Sequence, residues 1–360
     1  MRSTISTVSS SSTVSVRSSG PTTAANSERS RHEVPSVKPL RIGFFGTPDF
    51  AVPSLEALFS SSHEVVVVAT QPDRGRGRGR SVVPSPVKRI AGRHGVPILQ
   101  PRRAREPGFH EALSAQRLDL IVVVAYGLIL PREILDLPPL GCINVHASLL
   151  PKYRGAAPIQ WAIARGERVT GVTTMLMDAG MDTGDILLQA EEPILPRDTA
   201  ATLHDRLARR GAELLLETIP RWQGKTITPR KQDEAEATYA PLLKKEDGAI
   251  DWTQSAEAID RRVRAFFPWP GTHTFWQGIR IKVIEATPLP HERPAAPAGT
   301  VVQVERSGIG VATGEGSLLL TTLQREGRSP LPIERFLSGT PIRVGDRFIS
   351  SPPGKERSSP

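Results

Sequence analysis

The strongest constraint on this chain is a set of short, β-branched apolar runs separated by helix-like segments. Residues 41–45 (RIGFF), 65–70 (VVVVAT), 118–125 (LDLIVVVA) and 142–145 (CINV) are each bounded by turn-forming residues. Runs this short and this continuously apolar read as strands buried on both faces. The spacers at 53–58 and 86–94 read as helices, the first opened by Pro53 and the second stopped by Gly95. Strand, helix, strand in this order makes βαβ units. A further strand pair, 171–177 and 185–189, extends the sheet. Leu203, Leu207, Gly211, Leu214, Leu215 and Ile219 then mark one face of a long closing helix. The fold class is therefore α/β, a Rossmann-like and mostly parallel sheet with helices on both faces.

After Gln223 the texture changes. Residues 224–246 are polar, charged and Pro-containing, as expected of an interdomain linker. Beyond them come one helix (254–265) and short strand-like runs at 274–276, 279–284, 300–304, 309–312 and 318–323, a spacing that suits a small β-barrel. The expected division is 41–223 for the first domain, 224–246 for the linker and 247–348 for the barrel. Residues 349–360 form a polar tail.

Residues 1–40 are rich in Ser and Thr, contain Arg, and carry no acid before Glu28. They read as a disordered extension, which places the protein in a bacterial cytoplasm, or as an organellar transit-like segment, which places it in a mitochondrial matrix or plastid. The single Cys142 excludes a disulfide framework and an all-cysteine metal cluster. The longest apolar stretch, 120–131, is too short to cross a bilayer. With 46 Lys and Arg against 37 Asp and Glu, the net charge is +9, which points to an anionic partner without naming it.

An α/β first domain invites a dinucleotide reading, but no G-x-G-x-x-G follows the first strand and no G-x-x-x-x-G-K-[ST] occurs. The stretch around Asn144 and His146 is more informative. Two residues apart at a strand end, both side chains leave one face at the carboxyl edge, where open α/β sheets bind ligands. An amide beside an imidazole suits an oxyanion donor next to a proton-transfer group, although a lone Asn-x-His is more often a satisfied loop pair. At 177–185 (MDAGMDTGD), Gly180 and Gly184 bracket Asp182. A carboxylate beside a histidine fixes the imidazole tautomer and favours its charged form; ordinary turn chemistry is the alternative for Asp178, Asp182 and Asp185. Calcium-loop spacing is absent and the His residues are scattered, so no metal is expected.

Asn144, His146 and the following Ser148, Leu149, Leu150 and Pro151, with a Gly-flanked Asp182 downstream, resemble the signature of the folate-dependent formyltransferases. RIGFFGTPDFA at 41–51, TQPDR at 70–74, VVVAYGLILP at 122–131, YRGAAPIQ at 153–160 and FFPWP at 266–270 narrow the resemblance to the branch that acts on methionyl-tRNA. It runs from about residue 41 to 348; Ala147 departs from it, standing where many relatives carry Gly. The resemblance implies a formyl donor, 10-formyltetrahydrofolate, bound to the first domain against Ser148, Leu149, Leu150 and Pro151 and near Tyr126, Gly127 and Leu128. It implies an OB-like barrel that helps hold initiator methionyl-tRNA. The candidate catalytic residues are Asn144 as oxyanion donor, His146 as cation and proton source, and Asp182 as the group that orients His146.

By the same resemblance, the Gly-rich loop at 73–80 (DRGRGRGR) grips the acceptor arm through Arg74, Arg76, Arg78 and Arg80. Arg forks suit phosphates, and Gly lets a loop follow an irregular RNA surface. Lys244, Lys245, Arg261, Arg262 and Arg264, with Trp269 and Trp276, are candidates for backbone contact or stacking, although Arg262 equally suits a solvated position. A formyltransferase acting on a small amine such as an amino sugar is the alternative, since it needs the same Asn144, His146 and Asp182. No membrane partner is expected, and nothing in the sequence demands more than a monomer.

Overall fold

The computed structural model describes residues 38–76, 81–289 and 296–351. The chain begins with β1 (Arg41–Gly46), α1 (Val52–Phe59) and β2 (Glu64–Ala69), followed by a hairpin of β3 (Arg74–Arg76) and β4 (Ser81–Val83). Next come α2 (Pro86–Arg93), β5 (Ile98–Leu99), α3 (Phe109–Ser114), β6 (Leu120–Val124), α4 (Arg132–Leu135) and β7 (Cys142–His146). Then α5 (Pro158–Arg165), β8 (Val169–Leu176), β9 (Ile186–Pro193) and the long α6 (Ala200–Gln223) complete the first half.

The sheet order is β5-β2-β1-β6-β7-β8-β9. β5 to β7 are parallel, and β8 and β9 add an antiparallel edge. The apolar runs alternate between two cores. Phe44, Val122, Val124, Ile143 and Val145 face Leu55 and Leu58 of α1 and Leu203, Leu207 and Leu215 of α6. Phe45, Val67, Ile121, Val123 and Cys142 face Phe109 and Leu113 of α3 and Ile134 and Leu135 of α4. Gly211 lets α6 lie close on β7, since a Cβ there would stand 2.9 Å from the Val145 side chain. Cover is continuous on the first face. On the second it is thin beyond β6, where α4 has four residues and β8 joins β9 through a loop. That gap is where a ligand cavity has room to open.

The second half holds α7 (Ala256–Ala265), β10 (Thr272–Trp276), β11 (Ile279–Leu289), β12 (Val301–Glu305), β13 (Gly308–Ala312), β14 (Ser317–Arg325), β15 (Leu331–Pro332), α8 (Ile333–Gly339) and β16 (Phe348–Ile349). Its strands run β12-β13-β14-β11-β10-β16, all antiparallel, with β15 beside β14. An antiparallel bridge between Thr300 and Arg347 brings the two ends of that path together, and the barrel closes around Trp252, Ile259, Val263, Ile281, Leu320 and Phe336. Phe266, just past α7, is buried in the first half's core with Trp161 6.0 Å away.

The segment expected as an Arg-rich loop is instead a hairpin: Arg74 pairs with Val83, Gly75 with Val82 and Arg76 with Ser81. The β-branched Val82 and Val83 supply the strand propensity that the Arg-Gly repeat lacks. Its base is fixed by Asp73, which accepts from Lys88 Nζ (2.6 Å) and Gln100 Nε2 (2.9 Å); those two bonds hold its carboxyl below the ordinary range.

Candidate active site

β7 alternates strictly. Ile143 and Val145 enter the first core, while Asn144 and His146 face the side that the helices leave open. Val123 of β6, Asn144 and Met175 of β8 stand in one cross-strand row and floor a cavity of about 630 Å³. Its walls come from the turn after β1 (Pro48, Phe50), the loop after β6 (Ala125 to Leu130), the start of α5 (Pro158, Ile159, Gln160), the β8–β9 loop (Met177 to Asp182) and His204 of α6. A mostly apolar slot of this size with a few convergent polar groups suits a small flat ligand.

Asn144 and His146 are 8 % and 7 % exposed. Among the described residues the Asn144 side-chain amide has no hydrogen-bond partner, so its donors are open to whatever enters. His146 Nε2 lies 3.0 Å from the Tyr153 carbonyl, which can only accept; Nε2 therefore carries the hydrogen and Nδ1 faces Asp182. The Nδ1 to Oδ1 distance is 3.7 Å, too long for a hydrogen bond and close enough for a direct charge interaction. The other carboxylate oxygen of Asp182 accepts from Gly155 N–H at 2.8 Å.

Three non-glycine residues with left-handed backbone, Ala125 (φ +47°), Tyr153 (φ +63°) and Asp182 (φ +56°), line or touch this site. Such conformations cost of order 1–3 kcal/mol each and persist where surrounding contacts over-determine them. The contacts are visible here. Thr47 Oγ1 and Gln71 Nε2 both donate to the Tyr126 carbonyl, and Gln71 Nε2 also donates to that of Gly127. Asp178 accepts from Gly180 N and Thr183 Oγ1, which is turn chemistry, and lies at the cavity rim. Gly184 passes so close to the Leu176 carbonyl that a Cβ would stand 1.7 Å from it.

The structure brings Asn144, His146, Asp182, Tyr126, Gly127 and Leu128 to one cavity. It does not bring Ser148, Leu149, Leu150 and Pro151 there. Ser148 Oγ donates to the Lys152 carbonyl (2.6 Å), Leu150 packs with Met175 and Ile186, and Leu149 fills the space left by Gly171. The residues after Ala147 leave the cavity lining until Gly155. Phe50, Ile159, Gln160 and Met177 fall inside the motifs at 41–51, 153–160 and 177–185, whereas Met175 and His204 line the cavity from separate elements that share no local motif. Among the described residues the buried Tyr126 hydroxyl has no partner, and burial pushes its ionisation far upward. Burial, reinforced by Asp136, likewise lifts the Cys142 thiol to about 12, which leaves it inert. Among the described residues no cluster of three or more His, Cys, Asp and Glu is placed to hold a metal ion, and no helix is long and apolar enough to cross a membrane.

Of the basic candidates, Arg74 and Arg76 lie in β3, while Arg78 and Arg80 fall outside the described residues. Lys244 and Lys245 are exposed. Arg262 is used internally, donating to the Asp247 carbonyl (2.8 Å) and lying over Phe266. Arg264 pairs with Asp260 and donates to the Asp198 carbonyl, and Arg261 packs over Gly166. Trp276 is a core residue whose Nε1 donates to Asp346, so it offers no stacking face; Trp269 is half exposed.

Residues 40–219 match the family described as formyl transferase, and residues 242–341 match its C-terminal domain. The methionyl-tRNA formyltransferase of Citrifermentans bemidjiense is 49% identical over 306 residues, 85% of this chain and 95% of that one. That of a Synechococcus species is 52% identical over 318 residues, 86% and 98% of the two chains. Among solved structures, HypX from Aquifex aeolicus in complex with tetrahydrofolic acid superposes with a TM-score of 0.58 at 20% identity. That alignment covers 85% of this chain and about half (48%) of the longer HypX, a likeness of fold.

Proposed function

The chain belongs to the methionyl-tRNA formyltransferase family, and from that membership we infer its reaction: transfer of the formyl group of 10-formyltetrahydrofolate to the α-amine of methionyl-tRNA. The amino-sugar alternative is less supported, because relatives at about half identity over nearly their whole length are methionyl-tRNA enzymes. The observation that carries the reading at the level of residues is the Asn144 amide, without a partner among the described residues, beside the His146–Asp182 pair in one apolar cavity.

In this reading the apolar loop from Ala125 to Leu130, with Met175 and Met177, holds the flat end of the folate. Asn144 donates to the formyl oxygen as it gains charge when the acceptor amine adds to the formyl carbon. His146 shares the cavity, offsets that charge as a cation and supplies, through its unbonded Nδ1, the proton that the departing folate nitrogen needs. The new N–C bond forms, the old C–N bond breaks, and the proton shed by the amine replaces the one given away. Asp182 stands opposite Nδ1 and offsets the imidazolium charge. Removing one such oxyanion donor typically costs ~10²–10³ in rate.

The barrel and the linker lysines Lys244 and Lys245, with the hairpin arginines, hold the acceptor arm of initiator tRNA. We place the reaction in a bacterial cytoplasm and take the protein as a monomer, since every group argued for the transfer comes from one chain; sedimentation of the purified protein checks the latter. The test of function is to follow a labelled formyl group from 10-formyltetrahydrofolate in the presence of methionyl-tRNA, an amino sugar nucleotide, or buffer. Label is expected on methionyl-tRNA. Equal transfer to the amino sugar, or equal release as formate in buffer, contradicts the reading.

A further inference from the structure

The polar segment expected as a spacer between the two domains lies along the active site and is bonded to it. One short piece of chain touches both members of the His146–Asp182 pair. The Tyr153 carbonyl accepts from His146 Nε2 (3.0 Å), and Gly155 N–H donates to Asp182 Oδ2 (2.8 Å). That piece is gripped from its other side by the segment. Tyr153 N–H donates to Thr238 Oγ1 (2.9 Å), Arg154 N–H donates to the Thr238 carbonyl (2.8 Å), and Ala240 N–H donates to the Arg154 carbonyl (2.7 Å). Gly155, at φ +113°, leaves no room for a side chain beneath the Ala240 carbonyl.

Arg154 stands between the two layers with its side chain fully excluded from solvent. A buried guanidinium is tolerable when it is paired and hydrogen-bonded. Here Nη1 and Nη2 fork onto both oxygens of Glu234 (2.8 Å each), and Nε donates to Gln232 Oε1 (3.0 Å). With its oxygen so committed, the Gln232 amide turns Nε2 onto the carbonyls of Asp182 and Gly184, 2.8 Å from each. Asp182 is the residue whose backbone sits in the left-handed region. The bonds from Gln232 therefore fall where the loop is least able to hold its shape alone.

We propose that Arg154 and Gln232 are positioning residues for the transfer: acting from the interdomain segment, they hold the Asp182 carboxylate opposite His146 Nδ1. Arg154 orients the Gln232 amide, and Gln232 pins the backbone of Asp182. Misplacement of a reacting constellation by about 1 Å costs of order 10²-fold in rate, so two lost backbone bonds have a visible effect. This rests on the formyl-transfer reading above.

The test compares wild type, Gln232→Ala, Gln232→Glu, Asp182→Ala and the double variant Gln232→Ala/Asp182→Ala, in the full chain. Gln232→Glu keeps the side chain's size and its oxygen toward Arg154 while replacing the donor, so it carries the test should Gln232→Ala lose its fold. Both are expected to lower single-turnover formylation by roughly 10-fold at saturating folate and methionyl-tRNA, with both KM values within about twofold of wild type. The acid limb of the rate–pH profile should move as well, because the imidazole's charged neighbour has shifted. In the Asp182→Ala background the Gln232→Ala change should add nothing, since residues acting through one another are not additive. A normal rate and pH profile in Gln232→Glu, or losses that multiply in the double variant, overturns the proposal. Wild-type protein that fails to formylate methionyl-tRNA overturns the functional reading itself, a separate result.

Discussion

The cavity over β7 and the cationic side of the barrel use polar residues in opposite ways. In the cavity, Asn144 has no partner among the described residues and His146 keeps Nδ1 unbonded. In the barrel half, Arg262, Arg264 and Trp276 are consumed by bonds to Asp247, Asp260, Asp198 and Asp346. Polar residues with open bonding capacity inside a cavity are available for chemistry. Polar residues bonded into the chain in this way hold the fold, whatever charge they add to the total. Among the barrel-side candidates, Lys244 and Lys245 keep exposed positions.

This contrast breaks most easily at Asn144. Asn144→Ala should lower the formylation rate by ~10²–10³ without loosening the fold, read by single-turnover kinetics beside a thermal melt. Next comes the loop that presents Asp182. In Gly184→Ala the added methyl meets the Leu176 carbonyl, 1.7 Å away. The loop has to rearrange, so stability should fall by about 2–4 kcal/mol and activity with it; an unchanged denaturation midpoint would show that the loop's tight path is not needed.

On the cationic side, replacing Arg74, Arg76, Arg78 and Arg80 together by Ala should weaken tRNA binding. The slope of log affinity against log salt should also flatten, by roughly 0.7–0.9 for each phosphate that is no longer neutralised. An unaltered slope in a binding titration would remove the hairpin from the interface. The effect most remote from the transfer is in the barrel. Burial first, and then Arg280 and Lys282, depress His273 to about 4 from an ordinary 6.5. The folded protein thus holds a neutral imidazole that the unfolded chain protonates more readily. Its contribution is present above pH 6.5 and is lost as the pH falls from 6.5 toward 4. Denaturation curves of His273→Gln should lose less stability over that interval than wild type; parallel curves would contradict the assignment.

Much of the frame was legible because it is written in local pattern. The runs at 41–45, 65–70 and 142–145 are strands, and the two-residue spacing of Asn144 and His146 does put both on one face. The glycines around Asp182 mark a tight loop between β8 and β9. What local pattern does not record is direction and distance. Ser148, Leu149, Leu150 and Pro151 follow His146 in sequence, yet the backbone leaves the cavity at that point. An Arg-Gly repeat has no apolar signal, so the β3–β4 pairing was invisible. Trp276 carries the same letter whether it stacks on a base or fills a barrel. Arg154 reaches Gln232 and Glu234 across 78 and 80 residues, and no local periodicity records such a contact.

On the proposed reading, the β7 cavity performs the transfer while the hairpin only recruits the acceptor. Single-turnover formylation with enzyme saturating over labelled methionyl-tRNA, run on Asn144→Ala and on the four-arginine variant side by side, tests it most directly. The expected result is a rate reduced by ~10²–10³ in Asn144→Ala and a near wild-type rate in the arginine variant once saturation is reached. A normal rate in Asn144→Ala, or an arginine variant that stays slow at saturation, would contradict it.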